Sequence, residues 1–245
     1  SVDLIYNLPD QTPGTPGSWA DDIGALIETP ATGASVYALI PMRGSALVKQ
    51  IEAGRKQPLG DCSREYDMFT AAYDALMNRP GWRRFSFHHF GDAKHERSVY
   101  NRVRSGGMDT LGLGCGGGGQ LGNLSTMNAM DVQQYVDAWT DGRPSPVMAF
   151  EQPQRVTDLG GVYRLTESDG IARARLTELL PTASPTIDRL IALGLVQDRD
   201  GLLGLTRDGC FWGYNITALL TEAIADDLAS AAAPSTPEFS STLAT

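Results

Sequence analysis

Val2-Asp3-Leu4-Ile5-Tyr6-Asn7-Leu8 opens the chain as a largely apolar run of strand length, followed by breakers at Pro9, Pro13, Gly14, Pro16 and Gly17. A short helix is expected from Trp19 to Glu28, and Pro30 and Gly33 lead from it into a second strand, Ser35 to Ile40. Strand, helix, strand in that order predicts a parallel α/β unit. Met68, Phe69, Ala72, Tyr73, Leu76 and Met77 recur at helical spacing until Asn78-Arg79-Pro80-Gly81 stops them. Arg84 to Phe90 reads as a further strand with a polar loop after it. A chain that opens inside a core strand needs a neighbour for that strand, so the sequence is expected to be the C-terminal part of a longer protein.

The run LGLGCGGGGQLG, residues 111–122, holds seven glycines in twelve positions. It is expected to be a loop, because each glycine inside a regular element costs about 1 kcal/mol relative to alanine. Beyond it, Val132, Tyr135, Val136 and Trp139 share one face of a helix that Gly142 and Pro144 end. Ser184 is the expected N-cap of another helix, with Pro185 at its first position and Ile187, Leu190 and Ile191 on its apolar face. Asp200-Gly201 between two apolar runs predicts a tight hairpin. A last helix carries Ile216, Leu219, Leu220, Ala223 and Ile224. Helix, hairpin, helix at this spacing is winged-helix-like, and from Ala229 onward the Ala-, Ser-, Pro- and Thr-rich tail is expected to be mobile.

Charge narrows the function classes. The chain has 245 residues with 20 Lys plus Arg against 29 Asp plus Glu, a net charge of −9. The winged-helix-like segment is itself acidic, with only Arg189, Arg199 and Arg207 as basic residues between positions 181 and 228. Neither suits a phosphate backbone, so nucleic acid is not an expected partner. No apolar run approaches the roughly 18 residues of a membrane span, and the first residues lack a signal-peptide pattern, so a cytoplasmic setting without membrane insertion is expected. Three widely spaced cysteines, Cys62, Cys115 and Cys210, form neither a disulfide framework nor a local metal-ligand motif.

Candidate chemistry sits in three places. The glycine run, with Gly112, Gly114, Gly116 and Gly118, allows a backbone to approach a flat or bulky ligand closely or to cradle an anion. Its GxGxxG at Gly114, Gly116 and Gly119 carries little weight in so glycine-dense a segment. All three histidines, His88, His89 and His95, fall within eight residues of one another, and imidazole ligates iron or moves protons near neutral pH. On an extended strand His88 and His89 point to opposite faces. Asp3, one residue into a strand expected to be buried, needs a partner or a ligand such as sugar hydroxyls.

Several of these stretches resemble one family. Residues 3–12, DLIYNLPDQT, are similar to the DLIYGLPGQT segment of radical S-adenosylmethionine enzymes related to oxygen-independent coproporphyrinogen III oxidase. Tyr37 to Gly44, Gly81 to Phe90, Leu111 to Gly114 and Leu205 to Gly209 resemble further segments of that family. Tyr66 to Leu76, His88-His89-Phe90, Arg97 to Asn101 and Gly112 to Gly122 resemble its anaerobic haem-degrading methyltransferase branch (ChuW/HutW type). Asn7 and Asp10 stand where the family commonly has glycine, and its CxxxCxxC cluster motif is absent from this sequence.

The resemblance implies an α/β fold: the last strands of a partial (β/α) barrel over 1–60, a helix-strand and Gly-rich α+β substrate-covering region over 61–125, a helical and winged-helix-like C-terminal module over 126–228, and a flexible tail over 229–245. It implies S-adenosylmethionine and a 4Fe–4S cluster as cofactors, with Asp3 on the ribose and Gly112, Gly114, Gly116 and Gly118 beside cofactor or substrate. It implies haem as substrate, with His88 or His89 facing it. Reductive cleavage of S-adenosylmethionine to a 5′-deoxyadenosyl radical would precede methyl transfer, porphyrin ring opening and iron release. An electron donor such as a flavodoxin and a haem delivery protein are the implied partners. A haem-binding chaperone of the same fold and a coproporphyrinogen oxidase-like enzyme are the alternatives.

Overall fold

The computed structural model describes residues 1–11, 18–97, 99, 101, 108–143 and 146–232. The expected breakers Pro13, Gly14, Pro16 and Gly17, the helix-ending Pro144, Ser98 and Tyr100 of the 97–101 segment, and the tail from residue 233 lie outside the described residues.

The N-terminal unit is the predicted parallel one. Strand β1 (Val2–Tyr6) pairs in parallel with β2 (Gly33–Ala38), and helix α1 (Trp19–Glu28) crosses between them. The backbone N–H of Ser18 donates to Asp21 Oδ2 at 3.3 Å, tying down the start of α1, which buries Trp19, Ile23 and Leu26. Helix α3 (Cys62–Met77), capped by Asp61 accepting from Arg64 N, buries Met68, Phe69, Ala72 and Leu76 against the same sheet face, and α2 (Ala46–Glu52) precedes it. The indole N–H of Trp19 donates to Met68 O at 2.7 Å, locking α1 to α3.

The predicted strand Arg84–Phe90 is instead a hairpin. β3 (Trp82–Arg84) and β4 (His89–Asp92) pair antiparallel, and Phe85 to His88 bend between them. The sheet order is β1-β2-β4-β3. Phe85, Ser86 and Phe87 are buried in succession, which a pleated strand could manage only if both faces were covered.

The glycine run is loop only as far as Gly117. Gly118–Leu121 form β5, which pairs with β6 (Leu124–Asn128), and β6 pairs with β7 (Pro146–Glu151). The helix Val132–Thr140 has the expected apolar stripe, yet Val132, Val136 and Trp139 are exposed. None of the described residues within 108–151 joins the main hydrophobic core.

The C-terminal part packs the helices Arg173–Leu179, Ser184–Ala192 and Gly213–Ala232 around an antiparallel sheet ordered β8 (Ile171–Ala172), β10 (Leu202–Leu205), β9 (Val196–Arg199). Asp200 (φ 53°) and Gly201 (φ 84°) turn the β9–β10 hairpin as expected for a type I′ pair. Ser184 is the first helical residue, and Ala183 is the cap, because a 3₁₀ turn at Pro181–Ala183 already brings the chain into helical geometry. Leu219 is exposed while Ile216, Leu220 and Ile224 are buried, and the last helix continues through residues 229–232 of the expected tail. Phe211 packs on Tyr66 and Phe69, and Arg207 pairs with Asp74 at 3.0 Å, so one core runs from the N-terminal sheet into this part.

Candidate functional site

One face of the N-terminal sheet is covered by α1 and α3; the other carries polar residues in register. Asp3 on β1 sits beside Ser35 on β2, and Ser35 sits beside His89 on β4. Asp3 is exposed, which corrects the expectation of a buried strand: only Tyr6 of β1 is buried, and Val2 and Leu4 are partly so. Ser35 Oγ lies 2.8 Å from His89 Nδ1, and His89 Nε2 faces Glu96 Oε1 at 3.7 Å. The second distance is too long for a hydrogen bond but close enough for a carboxylate to act on the ring.

Two glycines make room for Glu96. A Cβ on Gly33 would stand 2.5 Å from Glu96 Oε2, and one on Gly91 would stand 2.6 Å from Glu96 Cγ. Gly33 and Gly91 are register partners on β2 and β4, so the acidic side chain lies across the sheet where no side chain rises from it. These positions carry no motif in the sequence; only the register reveals them.

His88 does not point to the opposite face. The bend before β4 breaks the strand alternation and sets the His88 ring 4.9 Å from Tyr37, which shares the face of Ser35. Phe87 meets the ring edge-on at 4.4 Å, and Tyr214 of the last helix lies parallel to it at 6.5 Å. Gly213 is required here, since its Cβ would strike the Phe87 ring at 2.3 Å. Burial pushes the His88 pKa down to about 4, with neighbouring His89 adding to the effect and Asp3 opposing it. His88 Nδ1 is buried without a hydrogen-bond partner among the described residues. Burial lowers the His89 pKa too, against the pull of Glu96 and Asp3. His95 is elsewhere, exposed and bound to Asp92 at 2.6 Å.

The glycine run stands apart, and its own backbone explains most of its glycines. A Cβ on Gly112 would meet Gly117 O at 2.5 Å, while Gly114 (φ 87°) and Gly116 (φ 68°) are left-handed. Gly118 has only Thr126 O within reach, at 3.8 Å. Asn128 ties the loop together by donating to Gly112 O and Gly114 O. At Gly112 and Gly117 the close backbone approach is to the loop's own atoms.

Asn7 (φ 63°) and Asp10 (φ 65°), which replace the family's glycines, both hold left-handed backbone. Asparagine and aspartate tolerate that region best after glycine. Asn7 also bonds Gly60 in both directions and Glu65 Oε2, anchoring the end of β1 to the start of α3.

The described residues contain no group of three His, Cys, Asp or Glu side chains able to hold a metal. Cys62 and Cys115 are exposed and separate, and burial raises the Cys210 thiol to about 11. These residues do not fit an iron–sulfur cluster, which takes thiolates. Asp3, an exposed carboxylate at the open edge of a parallel pair, does fit the hydroxyls of a nucleoside.

No protein-family model matches the sequence. The mixed α/β fold is that of a solved radical SAM enzyme: coproporphyrinogen III oxidase (HemN) from Escherichia coli superposes with a TM-score of 0.67, covering 91% of this chain and 54% of that one at 17% identity. Anaerobilin synthase of Escherichia coli O157:H7 is 30% identical over 227 residues, 91% of this chain and 49% of that protein. Heme chaperone HemW of Mycobacterium tuberculosis is 25% identical over 193 residues, 75% of this chain and 43% of that protein. The chain thus spans about half the length of the curated relatives it matches, and it is homologous to the coproporphyrinogen-oxidase-like radical SAM proteins. No helix among the described residues is long and apolar enough to cross a membrane.

Proposed function

We propose that this chain is the C-terminal part of a radical S-adenosylmethionine enzyme that degrades haem without oxygen, by methyl transfer and ring opening with release of iron. The observation that carries the reading is the 30% identity to anaerobilin synthase across 91% of the chain. In this reading β1 and β2 are the last strands of a partial (β/α) barrel, residues 61–125 cover the substrate, and the β8-β10-β9 sheet with its helices is the winged-helix-like module over 126–228. S-adenosylmethionine, when bound, supplies the methyl group. Asp3 holds its ribose hydroxyls, and Gly112, Gly114, Gly116 and Gly118 border cofactor or substrate. The cluster ligands lie outside this chain. A cytoplasmic setting, a flavodoxin-like electron donor and a haem delivery protein complete the proposal.

The two histidines now separate. His89 is committed to Ser35 and Glu96, whereas the His88 ring, boxed by Tyr37, Phe87 and Tyr214, has no hydrogen-bond partner at its buried Nδ1 among the described residues. A pKa near 4 keeps that ring neutral at pH 7, the form that binds iron without first losing a proton. The aromatic neighbours suit the face of a macrocycle. His88 is therefore the residue assigned to the haem. A haem titration followed at the Soret band tests this: the chain should bind with a shifted band, and His88→Ala should lose the shift. An unchanged band in the variant removes His88 from the site. The match to a heme chaperone keeps a second reading alive, in which haem binds and is not consumed.

A further inference from the structure

Two donors of one cation stand buried and unused. Arg64, in the first turn of α3, lays its stem against Gly60, where a Cβ would come within 2.3 Å of Arg64 Cδ and 2.7 Å of Asn7 Oδ1. Its Nε and Nη2 are closed off from solvent, and among the described residues neither has a hydrogen-bond partner. The carboxylates nearest in sequence are engaged elsewhere: Asp61 accepts from the backbone N–H of Arg64, and Glu65 accepts from Asn7 Nδ2. Nε and Nη2 share one edge of the guanidinium, two parallel N–H groups spaced to meet both oxygens of a carboxylate. Donors buried without an acceptor cost free energy, so a ligand that draws the head outward onto its own carboxylate relieves that cost.

The surroundings select an anion. Residues 43–64 carry Arg43, Lys49, Arg55, Lys56 and Arg64 against Glu52 and Asp61, a positive stretch in a chain of net charge −9. Arg43, Lys49 and Arg55 are exposed, and among the described residues none of them has an ion-pair partner. The stretch follows the carboxyl end of β2, and Asn7 anchors it to the carboxyl end of β1, the place where parallel strands receive ligands. The His88 box is close by, since its Tyr37 is the register partner of Ile5, two residues before Asn7. Between them the Tyr6 hydroxyl has its pKa raised by burial, and then by Glu65, the neighbour of Arg64, and by Tyr214 of the box.

We infer that Arg64 is a carboxylate-binding residue: it turns out of its buried position to take a propionate of the tetrapyrrole on both Nε and Nη2, while Arg43, Lys49 and Arg55 draw the anion in. The inference rests on the haem reading and adds to it the groups of haem that are recognised.

The test uses the full 245-residue chain with haem and with haem dimethyl ester, whose two carboxylates are blocked, each titrated at the Soret band. Arg64→Met should weaken haem about ten- to a hundredfold, the worth of one bidentate charge-assisted pair. The band position, which reports on the iron and His88, should not move. Arg64→Lys keeps the charge without the fork and should recover only part of the loss. The dimethyl ester should bind wild type and both variants alike, about as weakly as haem binds Arg64→Met. Urea unfolding should show Arg64→Met at least as stable as the wild type, because it removes buried donors that have no acceptor. A lowered urea midpoint would make Arg64 a structural residue and overturn the inference. So would unchanged haem affinity in Arg64→Met, or a loss confined to S-adenosylmethionine, whose methionyl carboxylate would then be the occupant. Each of these leaves haem binding at His88 standing; a chain that binds neither haem nor its ester overturns that reading and the inference together.

Discussion

Protonating His88 should weaken the fold by an amount its surroundings set. The ring lies among Tyr37, Phe87 and Tyr214, and burial pushes its pKa down to about 4, against 6.5 for an unperturbed imidazole. The sign follows from which state takes the proton first. Above pH 6.5 neither the folded nor the unfolded chain carries it, and the full stability is present. As pH falls below 6.5 the unfolded chain is protonated while the folded one is not, so stability declines until pH passes about 4. Integrated from pH 7.5 to 4.5, the loss is about 2.5 kcal/mol. His88→Phe keeps an aromatic ring in the same box and cannot titrate. Urea unfolding of both proteins at half-unit pH steps isolates the histidine, because carboxylates and His89 contribute alike to each. The wild type should fall relative to the variant by about 2.5 kcal/mol, a midpoint shift on the order of 1 M. Parallel pH profiles, within about 0.5 kcal/mol, would refute both the depressed pKa and the claim that a neutral ring is held ready at pH 7.

Other substitutions probe the remaining joints. Gly209→Ala places a Cβ 1.8 Å from the Leu195 carbonyl oxygen, a backbone atom that cannot swing aside, so thermal unfolding should show a loss of about 3 kcal/mol or more. Gly33→Ala meets only the far end of the Glu96 side chain; it should cost under about 1 kcal/mol, yet displace the carboxylate and lower the His89 pKa further, read by NMR titration. Asp10→Gly should leave stability unchanged or raise it slightly in chemical denaturation. It relieves a left-handed aspartate (φ 65°) and sacrifices only an exposed pair with Lys56 at 3.4 Å.

Local signals in the sequence located what local physics controls. The β1-α1-β2 unit, helix α3 and the Asp200-Gly201 hairpin follow from periodicity, caps and turn chemistry, and the structure has them. The resemblance supplied the reason for Asn7 and Asp10, since a family glycine marks a left-handed backbone that both residues hold. What the sequence hid depends on pairing between distant strands. Arg84–Phe90 looks like one strand because Phe85, Phe87 and Phe90 are all apolar, and only packing under the last helix shows the bend that puts His88 beside Tyr37. The Glu96–His89–Ser35 contacts need Gly33 opposite Gly91, a register that no spacing along the chain encodes. The glycine run is legible only in part: its density marks a close backbone approach, while the pairing of Gly112 with Gly117 within the loop depends on a fold that no spacing spells out.

The central claim, that this chain serves an enzyme consuming haem, is tested most directly by anaerobic turnover. The chain would be assayed together with a CxxxCxxC-bearing segment able to hold the proposed cluster, in the presence of haem, S-adenosylmethionine and a reductant. The Soret absorbance and the product mass would be followed. The expected result is loss of the band, release of iron and a methylated open-chain tetrapyrrole, with Asp3→Ala slowing the conversion. A Soret band that persists with haem tightly bound and unaltered would contradict it and identify a haem carrier instead.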